Sequence, residues 1–184
     1  MGTLKDLGQV FLEDAVTINK LVDSLNLNNE DIILEIGPGQ GAITKKFVHK
    51  VYNTHLIEID SALSIFLKKQ KHPNTYIYNQ NFLEWKWPLF PKPIKVISNL
   101  PYVYTFDILH KLIENQKQIS KMVLVMIDKQ ADIIKNKNDQ EGELIQSFFD
   151  IEDLFHIPKS SFRGFFKNVL KVESKCVVLK NKKA

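Results

Sequence analysis

Across 184 residues there is one cysteine, Cys176, and one arginine, Arg163. A lone thiol excludes an internal disulfide framework and a structural zinc site, since both need several thiolates or a Cys/His cluster. His49, His55, His72, His110 and His156 are scattered without ligand-like spacing, so no metal is expected and they read as surface or packing residues. No apolar run approaches the roughly 20 residues that cross a bilayer. The opening stretch MGTLKDLGQVFL lacks the apolar core of a secretory signal, and Asp6 stands where a myristoylation motif needs Ser or Thr. A reducing, cytoplasmic location is the expectation. With 44% hydrophobic residues, a chain of this length suits one domain over 1–184.

The net charge of +4 is uneven. Residues 156–184 carry eight Lys/Arg against Glu173 alone, a net +7, so the remainder is near −3. Lysine attracts phosphate as a point charge but does not read bases bidentately as arginine does. For 180–183 a solubilising tail explains the lysines equally well.

Short apolar runs alternate with amphipathic segments, which predicts an α/β sheet. Asp14 is placed to cap a helix whose Ile18, Leu21, Val22 and Leu25 share one face. Strands are expected at 31–36, 54–59, 75–78, 94–98 and 122–127. Helices are expected from about 41, over 61–70, over 106–115 and from 129. The polar segment 136–142 reads as a mobile loop, and 148–157 and 172–179 as two final strands joined by the basic segment.

Glycine is sparse, at seven, yet Gly37, Gly39 and Gly41 fall within five positions of LEIGPGQGAITKKF. Residues without Cβ let a loop pass close to a ligand and take positive φ, and a helix from about 41 aims free N–H groups at that place. The Gly-Lys-Ser/Thr ending of a phosphate loop is missing, and the dinucleotide spacing is not met. The glycines alone also allow a mere strand-to-helix turn. Glu58, about 20 residues on, near the end of the next strand, suits two ribose hydroxyls. A nucleoside cofactor without a phosphate requirement fits, and S-adenosylmethionine is the common one.

Directly after the strand IKVIS come Asn99, Leu100, Pro101 and Tyr102. An exocyclic amine on a base is a poor nucleophile because its lone pair is conjugated into the ring. Acceptors on the Asn99 side chain and the Leu100 carbonyl can hold the two N–H protons while Tyr102 stacks on the base. A strand-ending turn with Tyr102 in the core is the alternative for these four residues taken alone.

GQVFL at 8–12, LEIGPGQG at 34–41, IEID at 57–60, SNLPY at 98–102, PKSSF at 158–162 and KVESKCVVL at 171–179 occur in this order. In this combination the chain resembles the ribosomal RNA adenine N6-dimethyltransferases, which include the small-subunit adenine dimethylases and the erythromycin-resistance methylases. The resemblance implies a class I S-adenosylmethionine-dependent methyltransferase (Rossmann-like) fold, a seven-stranded, mostly parallel sheet with helices on both faces and the last strand antiparallel. It implies that Leu12 borders the methionine end of the cofactor, that Gly37 and Gly39 lie under it, and that Glu58 holds its ribose. Asn81 falls beside its adenine, and Asn99 faces both cofactor and target. Phe162 matches an aromatic that sandwiches the flipped base with Tyr102.

The chain also departs from the pattern. Val10 stands where Asn or His is usual, removing a polar cofactor contact, and Asn81 replaces a usual Asp, removing a charge. Val103 replaces a usual Asn. RGFFKNVL replaces a proline-rich stretch, and Glu141 and Glu143 stand where an aromatic and an arginine are usual. Family members typically continue into a helical C-terminal domain that contributes to RNA binding, here expected to be absent. The implied activity is dimethylation of adenine N6 in small-subunit ribosomal RNA or an immature small subunit by a monomer, with no membrane partner. The alternative is a catalytically weakened RNA-binding assembly or transcription-type factor. A small-molecule methyltransferase has no use for the basic C-terminal segment, and DNA adenine methylation is chemically open.

Overall fold

The computed structural model describes residues 11–163 and 173–183. In chain order the elements begin with β1 (Phe11–Leu12), α1 (Ala15–Ser24), β2 (Ile32–Ile36), α2 (Thr44–Phe47), β3 (Asn53–Glu58), α3 (Ser61–Lys69), β4 (Thr75–Asn79) and β5 (Ile94–Asn99). They continue with α4 (Thr105–Glu114), β6 (Ile119–Ile127), α5 (Asp128–Lys135), α6 (Gln140–Phe148), β7 (Phe149–Ile157), β8 (Phe162–Arg163) and β9 (Ser174–Asn181). Seven strands form one sheet in the order β4-β3-β2-β5-β6-β9-β7, while β1 and β8 form a separate antiparallel bridge.

Strands β4, β3, β2, β5 and β6 are mutually parallel, and β9 runs antiparallel to both β6 and β7. This is the expected seven-stranded, mostly parallel sheet with an antiparallel last strand. The chain leaves β2 toward β3 and β4, then returns to place β5 on the other side of β2, so a switch point opens between β2 and β5. Every residue of β2 is buried, as a strand covered on both faces requires.

Alternation along β6 shows the two layers. Met122, Leu124 and Met126 pack with Ile108, Leu109 and Leu112 of α4, Ala131 and Ile134 of α5 and Ile145 of α6. Val123 and Val125 join Ile18, Leu21 and Val22 of α1 and Phe47 of α2 on the opposite face. Asp14 caps α1, its carboxylate accepting from the Thr17 amide at 2.8 Å. Among the described residues no helix is long and apolar enough to cross a membrane.

Two expectations are corrected. The segment 136–142 is not a loop throughout: α6 begins at Gln140, with Asp139 as its cap accepting from the Glu141 amide at 2.9 Å. Gly142 sits inside this helix because a Cβ there would lie 1.9 Å from the Asn136 carbonyl oxygen, where α6 crosses the end of α5. A residue that reads as a helix breaker is needed for close packing. The helix expected from about 41 is regular only over Thr44–Phe47, since the preceding residues turn, with the Gly41 amide donating to the Pro38 carbonyl at 2.9 Å. The histidines hold packing and surface roles: His55 stacks on Tyr76 and Tyr78, while His110 pairs with Glu141 at 2.6 Å.

Replacing Gly142 by Ala forces backbone apart and should destabilise the fold by about 1–3 kcal/mol. The measurement is the urea unfolding midpoint; an unchanged midpoint would show that the α5–α6 contact yields without cost.

Candidate functional site

The β2 loop turns sharply over the C-terminal end of β3. The Gly37 amide donates to the Ile57 carbonyl at 2.9 Å. Gly37 has φ +65°, a region that L side chains rarely adopt, and none of the described residues lies within 4 Å of where its Cβ would be. The backbone is therefore bare toward open space. Gly39 has φ +58°, and a Cβ there would meet the Phe11 ring at 2.9 Å. Phe11 thus closes over the loop, a contact that sequence reasoning missed because Phe11 lies far away along the chain.

Glu58 ends β3 and is 1% exposed. Its carboxylate accepts from the Gly39 amide and from the Asp60 amide, each at 2.9 Å, one on each oxygen. Burial raises its pKa despite these two donors. A carboxylate has about four acceptor sites, so capacity remains for two further hydroxyls. The carboxylate is aimed by the glycine loop it serves.

A second buried acid, Glu35, lines the same cavity. Its Oε2 accepts from the Thr44 hydroxyl at 2.5 Å. Burial pushes its pKa up to about 8, and the nearby Glu58 charge adds to the rise while the Thr44 hydrogen bond opposes it. Glu35 falls inside the strand expected at 31–36 and is not singled out there; the available signal was an acid inside the apolar run IILEI.

On the other side of the switch point, Asn99 ends β5. The Leu100 amide donates to the Val125 carbonyl at 3.0 Å and anchors the loop to β6. Pro101 opens a short 3-10 turn, Tyr102–Tyr104, with the Tyr104 amide donating to the Pro101 carbonyl at 2.9 Å. The Tyr102 carbonyl accepts from Gln130 Nε2 at 2.7 Å, and its hydroxyl is hydrogen-bonded to Ser174 Oγ at 2.9 Å. Ring and backbone are thereby fixed from α5 and β9. The Ser98 hydroxyl donates to the Ile36 carbonyl at 2.7 Å, which clamps the two loops side by side.

One cavity collects most of the expected site. Leu12, Gly37, Gly39, Glu58 and Asn81 line it, and so do Asn99, Leu100, Pro101 and Tyr102. Val10 lies outside the described residues. Phe162 is not among the residues lining this cavity: it is 4% exposed, pairs with the cavity residue Leu12 across the β1–β8 bridge and packs in the core layer beside α1. An aromatic beside a short polar run does not reveal which side of the bridge its ring takes. Asn81 Oδ1 accepts from the Leu83 amide at 3.0 Å, so its one carbonyl oxygen already has a donor. Lys111 holds this loop by donating to the Leu83 and Trp85 carbonyls at 2.7 Å each.

A parallel sheet with this switch point, a glycine loop over an acid-ended second strand and a polar-Pro-aromatic turn define the class I S-adenosylmethionine-dependent methyltransferase fold. The solved structure of a 23S rRNA methyltransferase, ErmE, superimposes with a TM-score of 0.80 at 26% identity, covering 94% of this chain and 70% of that one. The family model described as ribosomal RNA adenine dimethylase matches residues 3–184, and the chain belongs to that family. A ribosomal RNA small subunit methyltransferase A from Mycoplasma mobile is 41% identical over 165 residues, 86% of this chain and 64% of the relative. The protein of the same name from Mycoplasmopsis pulmonis is 36% identical over 190 residues, 100% of this chain and 73% of the relative. The chain thus spans about two thirds of the length of these relatives.

The raised pKa of Glu35 has a definite sign. Between its ordinary value of 4.5 and about 8 the folded state holds a proton that the unfolded state has released. The stability linked to that proton is present below 4.5 and is lost as pH rises through 8. Glu35→Gln should flatten this decline in urea-unfolding free energy against pH; a variant that retains the wild-type slope would exclude Glu35 as its source.

Proposed function

We propose that the chain transfers methyl groups from S-adenosylmethionine to adenine N6 of small-subunit ribosomal RNA, twice on each base, acting on RNA or an immature subunit. The observation that carries this is the pairing of the glycine loop with the turn Asn99, Leu100, Pro101, Tyr102 in one cavity, clamped through Ser98 and Ile36. The relatives' name, ribosomal RNA small subunit methyltransferase A, supports methylation of small-subunit ribosomal RNA. We read residues 1–184 as a single methyltransferase domain that works as a monomer in the cytoplasm.

The residues present fit the cofactor. The open space beside Gly37 leaves room at the backbone, and Glu58 offers acceptors for a ribose diol. When bound, the cofactor supplies an electrophilic methyl group on a sulfonium. Asn99 and the Leu100 carbonyl orient the amine by holding its N–H protons. Tyr102, tied at its hydroxyl and its carbonyl, presents a fixed ring for the base. The amine proton is lost to solvent as nitrogen is alkylated, so these residues orient the reactants without needing a tuned general base.

Methyl incorporation into immature small subunits tests this reading; an intact, cofactor-bound protein that labels none would sink it. Tyr102→Ala should lower kcat/KM about 5- to 150-fold, the worth of one stacked base of ~1–3 kcal/mol. Tyr102→Phe keeps the ring and should retain most activity. Asn81→Asp supplies a second acceptor oxygen and a charge beside the adenine, and should tighten S-adenosylmethionine by about 1 kcal/mol in calorimetry. Equal or weaker binding would show that the Leu83 amide, not the residue type, limits this contact.

A further inference from the structure

Residues 44–79 contain Lys45, Lys46, Lys50, Lys68, Lys69 and Lys71 against only Glu58 and Asp60. Both acids are occupied elsewhere: Glu58 in the cavity, and Asp60 capping α3 by accepting from the Leu63 amide at 3.0 Å. Among the described residues none of these six lysines makes an ion pair. The near −3 balance outside the C-terminal segment therefore hides a second basic stretch, of which Lys68 and Lys71 stand at the opposite edge of the sheet.

That edge is β4, which among the described residues pairs with β3 alone. A groove runs along it, flanked by Lys68 in the last turn of α3, by Lys71 just beyond that helix, and by His72, Tyr76 and Tyr78. Behind Tyr76 stands a stack of rings. His55 lies 4.9 Å from Tyr76 at 22° and 5.9 Å from Tyr78 at 9°, and its Nδ1 is 3.1 Å from the Tyr78 hydroxyl. Phe90 abuts His55 edge-on at 5.0 Å. Tyr76 itself is 52% exposed. Burial lowers the His55 pKa to about 4, so the stack stays neutral near pH 7. An exposed ring that is already held loses little freedom when a base stacks on it.

We propose that the β4 edge is a second RNA contact, in which Lys68 and Lys71 take phosphates and Tyr76 stacks a base of a single-stranded segment remote from the reacting adenine. The proposal rests on the reading of RNA as substrate. Unpaired lysines beside an exposed aromatic match a polyanion with flat faces. A protein strand pairing with the same edge would leave Lys68 and Lys71 without acceptors.

The competing explanation is that the lysines only guard an open edge against self-pairing. Anisotropy titration of a labelled single-stranded oligoadenylate across a salt series separates the two. Lys68→Ala/Lys71→Ala should weaken binding about tenfold at low salt and make the log–log salt slope less negative by ~1.4, about 0.7 per phosphate. Tyr76→Ala should weaken binding by about 5- to 100-fold and Tyr76→Phe should restore it. Lys180→Ala, on the far side of the sheet, should change nothing. Unchanged affinity and slope in both groove variants, with unchanged melting, overturns the proposal, and so does self-association of the lysine variant without loss of RNA binding. Calorimetry with S-adenosylmethionine runs in parallel. If the wild type does not bind it while the groove variants still lose RNA, the transferase reading fails and the RNA contact stands.

Discussion

The adjacency of β2 and β5, whose chains leave the sheet toward opposite edges, is the constraint on which the cavity depends. Two parallel strands at such a switch point cannot share a connection at their carboxyl ends, so their loops diverge and leave a crevice. The Ser98 hydroxyl donating to the Ile36 carbonyl holds the divergence at a fixed width, one hydrogen bond inside an otherwise apolar layer. The glycine loop and the turn at Asn99 to Tyr102 thus face each other although some 60 residues separate them.

Burial then sets the chemistry of the acids. Glu35 and Glu58 are each 1% exposed, and low dielectric penalises both as anions. Two backbone amides compensate Glu58, and one hydroxyl compensates Glu35. Neighbouring buried carboxylates lower the stability of the empty fold, an expense accepted at a binding site where hydroxyls or a cation can complete their partners.

Hydrophobic periodicity was enough to place every strand of the sheet to within a few residues, because the central strands need near-continuous apolar runs and little else. It was not enough for α6. Asn136, Asp139 and Gly142 carry loop chemistry, and only the crossing of α5 shows that Asp139 is a cap and Gly142 a spacer. Phe162 shows the same limit: its motif position suggested a base platform, while the pairing of β8 with β1 turns the residue into the core. Asn81 could be read as an uncharged acceptor, but its commitment to the Leu83 amide depends on a turn that residue types do not specify.

By itself the sequence determined the α/β class, the order of the sheet strands along the chain, and the positions of the glycine loop and of the Asn99 to Tyr102 turn. These follow from local periodicity and from short motifs whose chemistry is carried by residue type and spacing. Only the tertiary structure decided which acceptors are already engaged, that Glu35 is buried beside Glu58, and that Lys68, Lys71 and the ring of Tyr76 flank one groove. Those properties arise from desolvation and from contacts between distant segments, and neither is encoded at any single position.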